Sequence, residues 1–72
     1  MKVKYFPDTD TAYIEFSDRE IEETLEINPN IYIDLDKNRN IVAMTIEHAK
    51  KNANLSEFSF EEIQKQEATV TS

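Results

Sequence analysis

Alternation of apolar and polar residues runs through the first two thirds of this 72-residue chain and constrains its fold more than any other feature. Side chains of a β-strand point in turn to the two faces of a sheet, so a period of two predicts strands with one apolar face. The chain contains no glycine, so its turns have to be built from Asn, Asp, Pro and Ser. The sequence therefore predicts short strands joined by polar turns.

Five segments carry this alternation, and each is bounded by turn-forming residues. The predicted strands are 2–6, 11–17, 21–27, 31–36 and 41–47. The short connections between them predict an antiparallel meander, in which each strand pairs with the next. The expected fold class is α+β, with an antiparallel β-meander of about five strands and a short C-terminal helix.

The pattern changes after residue 47, where alternation ends and a helix signal begins. Ser59 and Glu62 have the spacing of a capping box, which predicts a short helix from about 59 to 66. A further helical turn is expected at 48–52. The chain is short enough to form one domain over residues 1–72, with a frayed tail at 67–72.

The apolar residues of the predicted helix have two possible roles. They are Phe58, Phe60 and Ile63. They can cover the apolar side of the sheet, or they can dock a partner protein as a short amphipathic helix does.

The net charge of −7 is concentrated in one segment. Residues 8–26 contain eight acids and one base, and the rest of the chain is balanced. An acidic segment repels phosphate, which argues against nucleic-acid binding. It would attract a basic partner protein, and it would equally keep a small β-protein soluble.

The stretch DLDKNRN, residues 34–40, has the alternating oxygen ligands of a calcium loop. They are Asp34, Asp36 and Asn38. Arg39 and Thr45 stand where such a loop needs a glycine and a bidentate glutamate. We therefore interpret the stretch as a hairpin with a five-residue turn, in which Asn38 and Asn40 can adopt the left-handed conformation.

Catalytic chemistry is not indicated. His48 is the only histidine and there is no cysteine, so nucleophile and metal-ligand arrangements would all depend on one imidazole. We expect no enzyme activity, no cofactor and no metal site. No segment is apolar enough for a signal peptide or a membrane span, and a cytoplasmic location is expected.

Tyr13 and Tyr32 fall on the polar side of their strands, opposite the aliphatic residues. They can pack across strands among charged neighbours, or they can form a contact surface, since tyrosine is enriched in interface cores. The candidate partner-binding residues combine these tyrosines with the acidic segment and one C-terminal aromatic. They are Tyr13, Asp18, Glu20, Glu22, Glu23, Glu26, Tyr32 and Phe58.

Two stretches, YFPDTDTAYIEF and IDLDKNRNIVAMTI, resemble the small prokaryotic domains of unknown function numbered 2283, and the similarity covers about residues 2–47. The matching positions are Tyr5, Pro7, Asp10, Tyr13 and Ile14 in the first stretch, and Asp34, Leu35, Asp36, Ile41, Val42, Met44 and Ile46 in the second. The resemblance implies no established activity. Some members lie beside genes for small basic toxins, as antitoxins do, which implies a binding and neutralising role.

The chain departs from that family pattern at four positions. Phe6 stands where members usually carry an aspartate, and Thr45 replaces a glutamate. Arg39 and Ala43 replace two glycines. A role that depends on the missing aspartate and glutamate is therefore not expected here.

We expect a non-enzymatic protein-interaction domain, an acidic antitoxin-like inhibitor of a small basic protein. In one alternative, the chain is a self-assembling module that forms a homodimer with its own copy through a strand edge or the tyrosines. In a second alternative, it binds a divalent ion through Asp34, Asp36 and Asn38.

Overall fold

The computed structural model describes residues 1–55, 57 and 59–64. Among these residues, five strands form one antiparallel sheet, and a single short helix follows them. The elements are β1 (Lys2–Phe6), β2 (Thr11–Glu15), β3 (Glu23–Asn28), β4 (Ile31–Leu35), β5 (Ile41–Glu47) and α1 (Ala49–Asn52). β1 and β5 span the predicted ranges, whereas β2 ends two residues earlier and β3 begins two residues later than predicted.

The strand order across the sheet is β1-β2-β5-β4-β3, so the predicted meander is wrong. β3, β4 and β5 pair consecutively, but β2 pairs with β5 and not with β3. β3 contains two glutamates and lies at an edge, where charged side chains are tolerated and discourage pairing with other chains. β5 begins with the uncharged run IVAMTI and takes the central position, where both of its edges are paired.

Residues 16–22, here called the crossover, connect β2 to β3. The two strands lie three strand spacings apart, about 14 Å, and a segment of this length can extend to about 25 Å. Phe16 N donates to Val42 O at the start of the crossover, at 2.8 Å. Glu22 N donates to Leu35 O at its end, also at 2.8 Å. The crossover therefore follows the ends of β5 and β4 instead of reversing the chain.

One face of the sheet is apolar. Its rows follow the registered strand pairs, because residues directly opposite each other on neighbouring strands share a face. The apolar face consists of Val3, Ile14, Met44, Ile33 and Leu25 in one row across all five strands, and Tyr5, Ala12, Ile46 and Ile31 in the next.

The opposite face carries Tyr13, Tyr32 and most of the charged strand residues. We call it the tyrosine face. It consists of Lys4, Tyr13, Thr45, Tyr32 and Glu26 in one row, and Lys2, Glu15, Ala43, Asp34 and Thr24 in the next. Ala43 is fully buried at its centre, and the Asp34 carboxylate accepts a 2.7 Å hydrogen bond from the Thr24 hydroxyl.

The helix predicted at 59–66 is wrong over 59–64, which are not helical. Phe60 and Ile63 are 80% and 77% exposed, so they do not cover the sheet, which was the first of their two possible roles. A short helix needs tertiary packing to be stable in water, and these side chains find none. The turn predicted at 48–52 is confirmed as α1. The predicted frayed tail at 67–72 lies outside the described residues.

Candidate interaction surfaces

The stretch with calcium-like spacing is the turn between β4 and β5, residues 36–40. Asp36 is 6% exposed, and its Oδ1 accepts hydrogen bonds from Asn38 N at 2.9 Å and Asn40 N at 2.8 Å. Its Oδ2 lies 3.4 Å from Nη1 of Arg19 in the crossover. The hydrogen bond from Asn40, joined by that from Asn38, holds the pKa of Asp36 below its ordinary value. This carboxylate closes the turn, and the described residues contain no cluster of three metal-ligating side chains.

Arg39 is the left-handed residue of this turn, with φ 66°. Asn38 and Asn40, the residues predicted for that role, both direct their N–H groups at Asp36. The left-handed conformation of this turn is therefore adopted by Arg39, the residue between the two asparagines. The Arg39 guanidinium also forms an ion pair with Glu23 on β3, at 2.9 Å.

Asp10 joins the elements at the other end of the sheet. Its backbone is left-handed, with φ 55°, and its Oδ1 accepts a 2.7 Å hydrogen bond from the Tyr5 hydroxyl and a 3.2 Å one from Lys50 N. Its carbonyl oxygen accepts from Ala49 N at 2.8 Å. The hydrogen bond from Tyr5 lowers the pKa of Asp10 and raises that of Tyr5. Tyr5 and Asp10 therefore fasten the β1–β2 turn to α1.

His48 lies at the same end, immediately before α1. It adopts a left-handed backbone with φ 53°, and its Nδ1 is 2.9 Å from Oδ1 of Asn30. The contact links α1 to the turn between β3 and β4. His48, the only histidine of the chain, is therefore exposed at the surface and connects these two segments.

The structure brings the two candidate tyrosines together. Tyr13 and Tyr32 pair with the same residue, Thr45, from opposite sides, so their Cα atoms lie two strand spacings apart, about 10 Å. Both side chains are half-buried. Burial raises the pKa of Tyr32, and the carboxylates of Glu26 and Glu47 add to this effect. Two aromatic side chains with polar tips therefore flank the centre of the tyrosine face.

The acidic candidates divide between the crossover and β3. The crossover contains Asp18, Glu20 and Glu22, and all three are exposed. On β3, Glu26 pairs in register with Tyr32, whereas Glu23 is engaged by Arg39. Within the described part of the chain, no ion pair forms at the three crossover acids or at Glu26. The eighth candidate, Phe58, lies outside the described residues.

The apolar face is the surface that sequence reasoning missed. Val3 is 40% exposed, and Ile14, Ile33 and Met44 are only half-buried. Sequence reasoning allowed the helix at 59–66 to cover the apolar side of the sheet, so it did not predict this exposure. Residues 65–72, KQEATVTS, contain only two apolar residues and gave no sign of a second apolar layer.

These features define a small antiparallel β-sheet domain with two chemically different faces and one short helix. The chain belongs to the family described as protein of unknown function DUF2283, which it matches over residues 2–50. The match confirms the resemblance and covers all five strands and the start of α1. No curated protein and no solved structure gives a significant match. None of the helices in the described part of the chain is long and apolar enough to cross a membrane.

Proposed function

We propose that this protein is a non-enzymatic interaction domain whose acidic surface recognises a small basic protein, as an antitoxin-like inhibitor does. The observation that carries the proposal is a set of exposed acids without ion pairs among the described residues, next to the tyrosine face. They are Asp18, Glu20, Glu22 and Glu26. The toxin-like gene neighbours implied by the family resemblance, and a cysteine-free chain that suits the reducing cytoplasm, also support it.

The acids and the tyrosines would contribute to different steps of binding. Exposed charges of one sign raise the association rate by about 10 to 1,000-fold at low salt, but add less to affinity. The lasting contact has to come from desolvated side chains, among which tyrosine is enriched. Glu26 is the register partner of Tyr32 on the neighbouring strand. A basic protein attracted by the Glu26 carboxylate would therefore arrive next to the tyrosine side chains.

The proposal is tested by capture with the tagged chain from source-cell lysate at low salt, followed by binding kinetics with the captured protein. We expect a small basic protein in near-equal amount. A triple variant, Glu20→Gln, Glu22→Gln and Glu26→Gln, should reduce its association rate by about tenfold or more. The control variant, Asp8→Asn, Glu57→Gln and Glu61→Gln, changes the net charge equally at exposed sites elsewhere and should have a much smaller effect. Equal effects of the two triple variants, or an association rate independent of salt, would refute the proposal.

The tyrosines are tested in the same assay through the dissociation rate. Tyr13→Ala and Tyr32→Ala should each accelerate dissociation by about tenfold or more if they form the buried contact. Phe6→Ala is the control, because Phe6 is an aromatic residue at the edge strand β1 and is already 49% exposed. Unchanged dissociation in both tyrosine variants would place the contact elsewhere.

A further inference from the structure

The apolar face lacks a second layer in the described structure. Its long row crosses the whole sheet, and Ile14, Met44 and Ile33, the members on the three inner strands, are all half-buried. Within the described residues, no large side chain is fully buried. A sheet with an apolar face reaches a stable arrangement only by burying that face against another layer.

Within the described residues, the segments that follow the sheet do not supply that layer. α1 lies at one corner, where Lys50 stands over the Tyr5 ring at 5.4 Å. Phe60 and Ile63 are exposed and make no cover. In the sequence beyond Gln64, only Ala68 and Val70 are apolar. Among the described residues, the apolar face is therefore open to another molecule.

The chemistry of the face selects an uncharged occupant. Its two rows contain no charged residue. Glu23, which pairs in register with Leu35, borders this face and is engaged by Arg39. The other acids of the strands lie on the tyrosine face and are Glu15, Glu26, Asp34 and Glu47. A basic partner would leave its charges unpaired against the apolar face, at a desolvation cost. A second copy of the same face presents matching aliphatic side chains and introduces no charge.

The area agrees with a dimer of this kind. Five strands at about 4.8 Å spacing and five residues at about 3.3 Å rise span roughly 24 by 17 Å, or about 400 Å² in projection. The relief of the side chains increases the accessible area, so two copies would bury on the order of 1,000 Å² in total, the size at which specific interfaces begin.

The net charge of −7 on each copy does not oppose this arrangement. Sheets stacked face to face lie about 10 Å apart, and each tyrosine face points away from its partner. Charges on the two outer faces are then separated by about 20 Å, more than two Debye lengths at physiological ionic strength. Most of the repulsion between the two copies is therefore screened.

We infer that the apolar face is the interface of a symmetric homodimer, in which two copies stack their sheets into a two-layered β-sandwich. Met44 is the middle residue of β5, and β5 is the central strand, so Met44 lies at the centre of the face. In a symmetric dimer the two-fold axis passes near this centre, and the two Met44 side chains meet. The tyrosine face remains free on both sides, so the inference does not rest on the proposed function.

The oligomeric state of the full chain provides the first test. Sedimentation equilibrium should give about twice the 8.4 kDa monomer mass, and the melting temperature should rise with protein concentration. Met44→Lys places a charge at the centre of the interface and should abolish the dimer. Thr45→Lys introduces the same charge one residue away on the tyrosine face and should leave the dimer intact.

A second test does not depend on how well the lysine variant folds. The chain has no cysteine, so a single introduced thiol reports its own position. Met44→Cys should form covalent dimers on oxidation or with a short thiol cross-linker, and Thr45→Cys should not. A monomeric mass and a concentration-independent melting temperature in the wild type would overturn the inference. Equal cross-linking of the two cysteine variants would also overturn it.

Discussion

Asp36 and Asp10 organise turns at opposite ends of the sheet. In each turn a carboxylate oxygen accepts backbone N–H groups, from Asn38 and Asn40 in one case and from Lys50 in the other. Buried or partly buried N–H groups need partners, and a turn without glycine has fewer backbone conformations in which to find them. In this chain, carboxylate oxygens therefore accept hydrogen bonds from N–H groups that backbone carbonyl oxygens can satisfy in glycine-rich turns.

The substitution Asp36→Asn should weaken the turn and change its response to acid. The folded-state pKa of Asp36 lies below the ordinary value of 3.8, so its stabilising effect is present above that value and is lost as the pH falls through the folded-state pKa. We expect the variant to melt several degrees lower at neutral pH. It should also lose less stability than the wild type on acidification below about pH 4.

Thermal melts by circular dichroism across this pH range measure both effects. Asp8→Asn removes the same charge from an exposed position in the β1–β2 turn and is the matched control. It should melt close to the wild type at neutral pH. An acid profile of Asp36→Asn that coincides with that of the wild type would contradict the role given to this carboxylate.

Arg39 offers a second test at the residue scale, because it is a non-glycine residue in the left-handed conformation. The left-handed conformation costs a non-glycine residue about 1–2 kcal/mol. The ion pair with Glu23 joins side chains that are 65% and 41% exposed, and such a pair is worth about 0.5 kcal/mol. We expect Arg39→Gly to stabilise the protein by about 0.5 kcal/mol in urea unfolding, since the conformational gain exceeds the lost pair.

Asn38→Gly is the control for this prediction, because Asn38 lies in the same turn and has no positive φ. Glycine there only adds freedom to the unfolded chain, and we expect a loss of about 0.5–1 kcal/mol. The opposite signs of the two changes are the diagnostic result. A loss of the same size in both variants would show that Arg39 is not strained.

At the scale of elements, the sheet is organised around β5. This strand pairs with β2 on one side and β4 on the other, whereas β1 and β3 each pair along one edge only. The crossover makes this order possible, because it passes the ends of two strands and is attached to both of them. The acidic strand β3 is thereby placed at an edge of the sheet, with Glu26 on the tyrosine face.

Hydrogen exchange followed by NMR should reveal this organisation. The amides of β5 are bonded within a strand flanked on both sides, and we expect them to exchange at least about tenfold more slowly than those of β1 and β3. The outward-facing amides of the two edge strands should exchange fastest, because they have no ladder partner in the sheet. Equal protection of β3 and β5 would mean that the β3 edge is covered, which is contrary to the described structure.

At the scale of the whole molecule, the sheet separates two kinds of surface. The apolar face is uncharged and fits a second copy, while the tyrosine face and the crossover carry the acids proposed to attract a basic partner. Because the two surfaces lie on opposite sides of one layer, both partners can bind at once. Dimerisation would then present two acidic surfaces in one particle and would increase the avidity for a multivalent target.

Much of the local structure follows from residues close in sequence. Alternation placed Val3, Ile14 and Met44 on one side of their strands, and the same parity placed Tyr13 and Tyr32 on the other. What sequence reasoning missed depends on distant contacts. The helix expected at 59–66 had a suitable cap, but residues 59–64 are not helical, and the exposed side chains of Phe60 and Ile63 do not pack on the sheet.

The sequence by itself determined the existence of five strands, the side on which each residue lies and the acidity of the segment from 8 to 26. These properties depend on local geometry, since side-chain alternation is set by the backbone of each strand alone. Only the tertiary structure decided that β2 pairs with β5, that Tyr13 and Tyr32 flank Thr45 and that the described residues leave the apolar face open. Strand order arises from the joint burial of residues far apart in the chain, and a pattern with a period of two contains no information about which strands are neighbours.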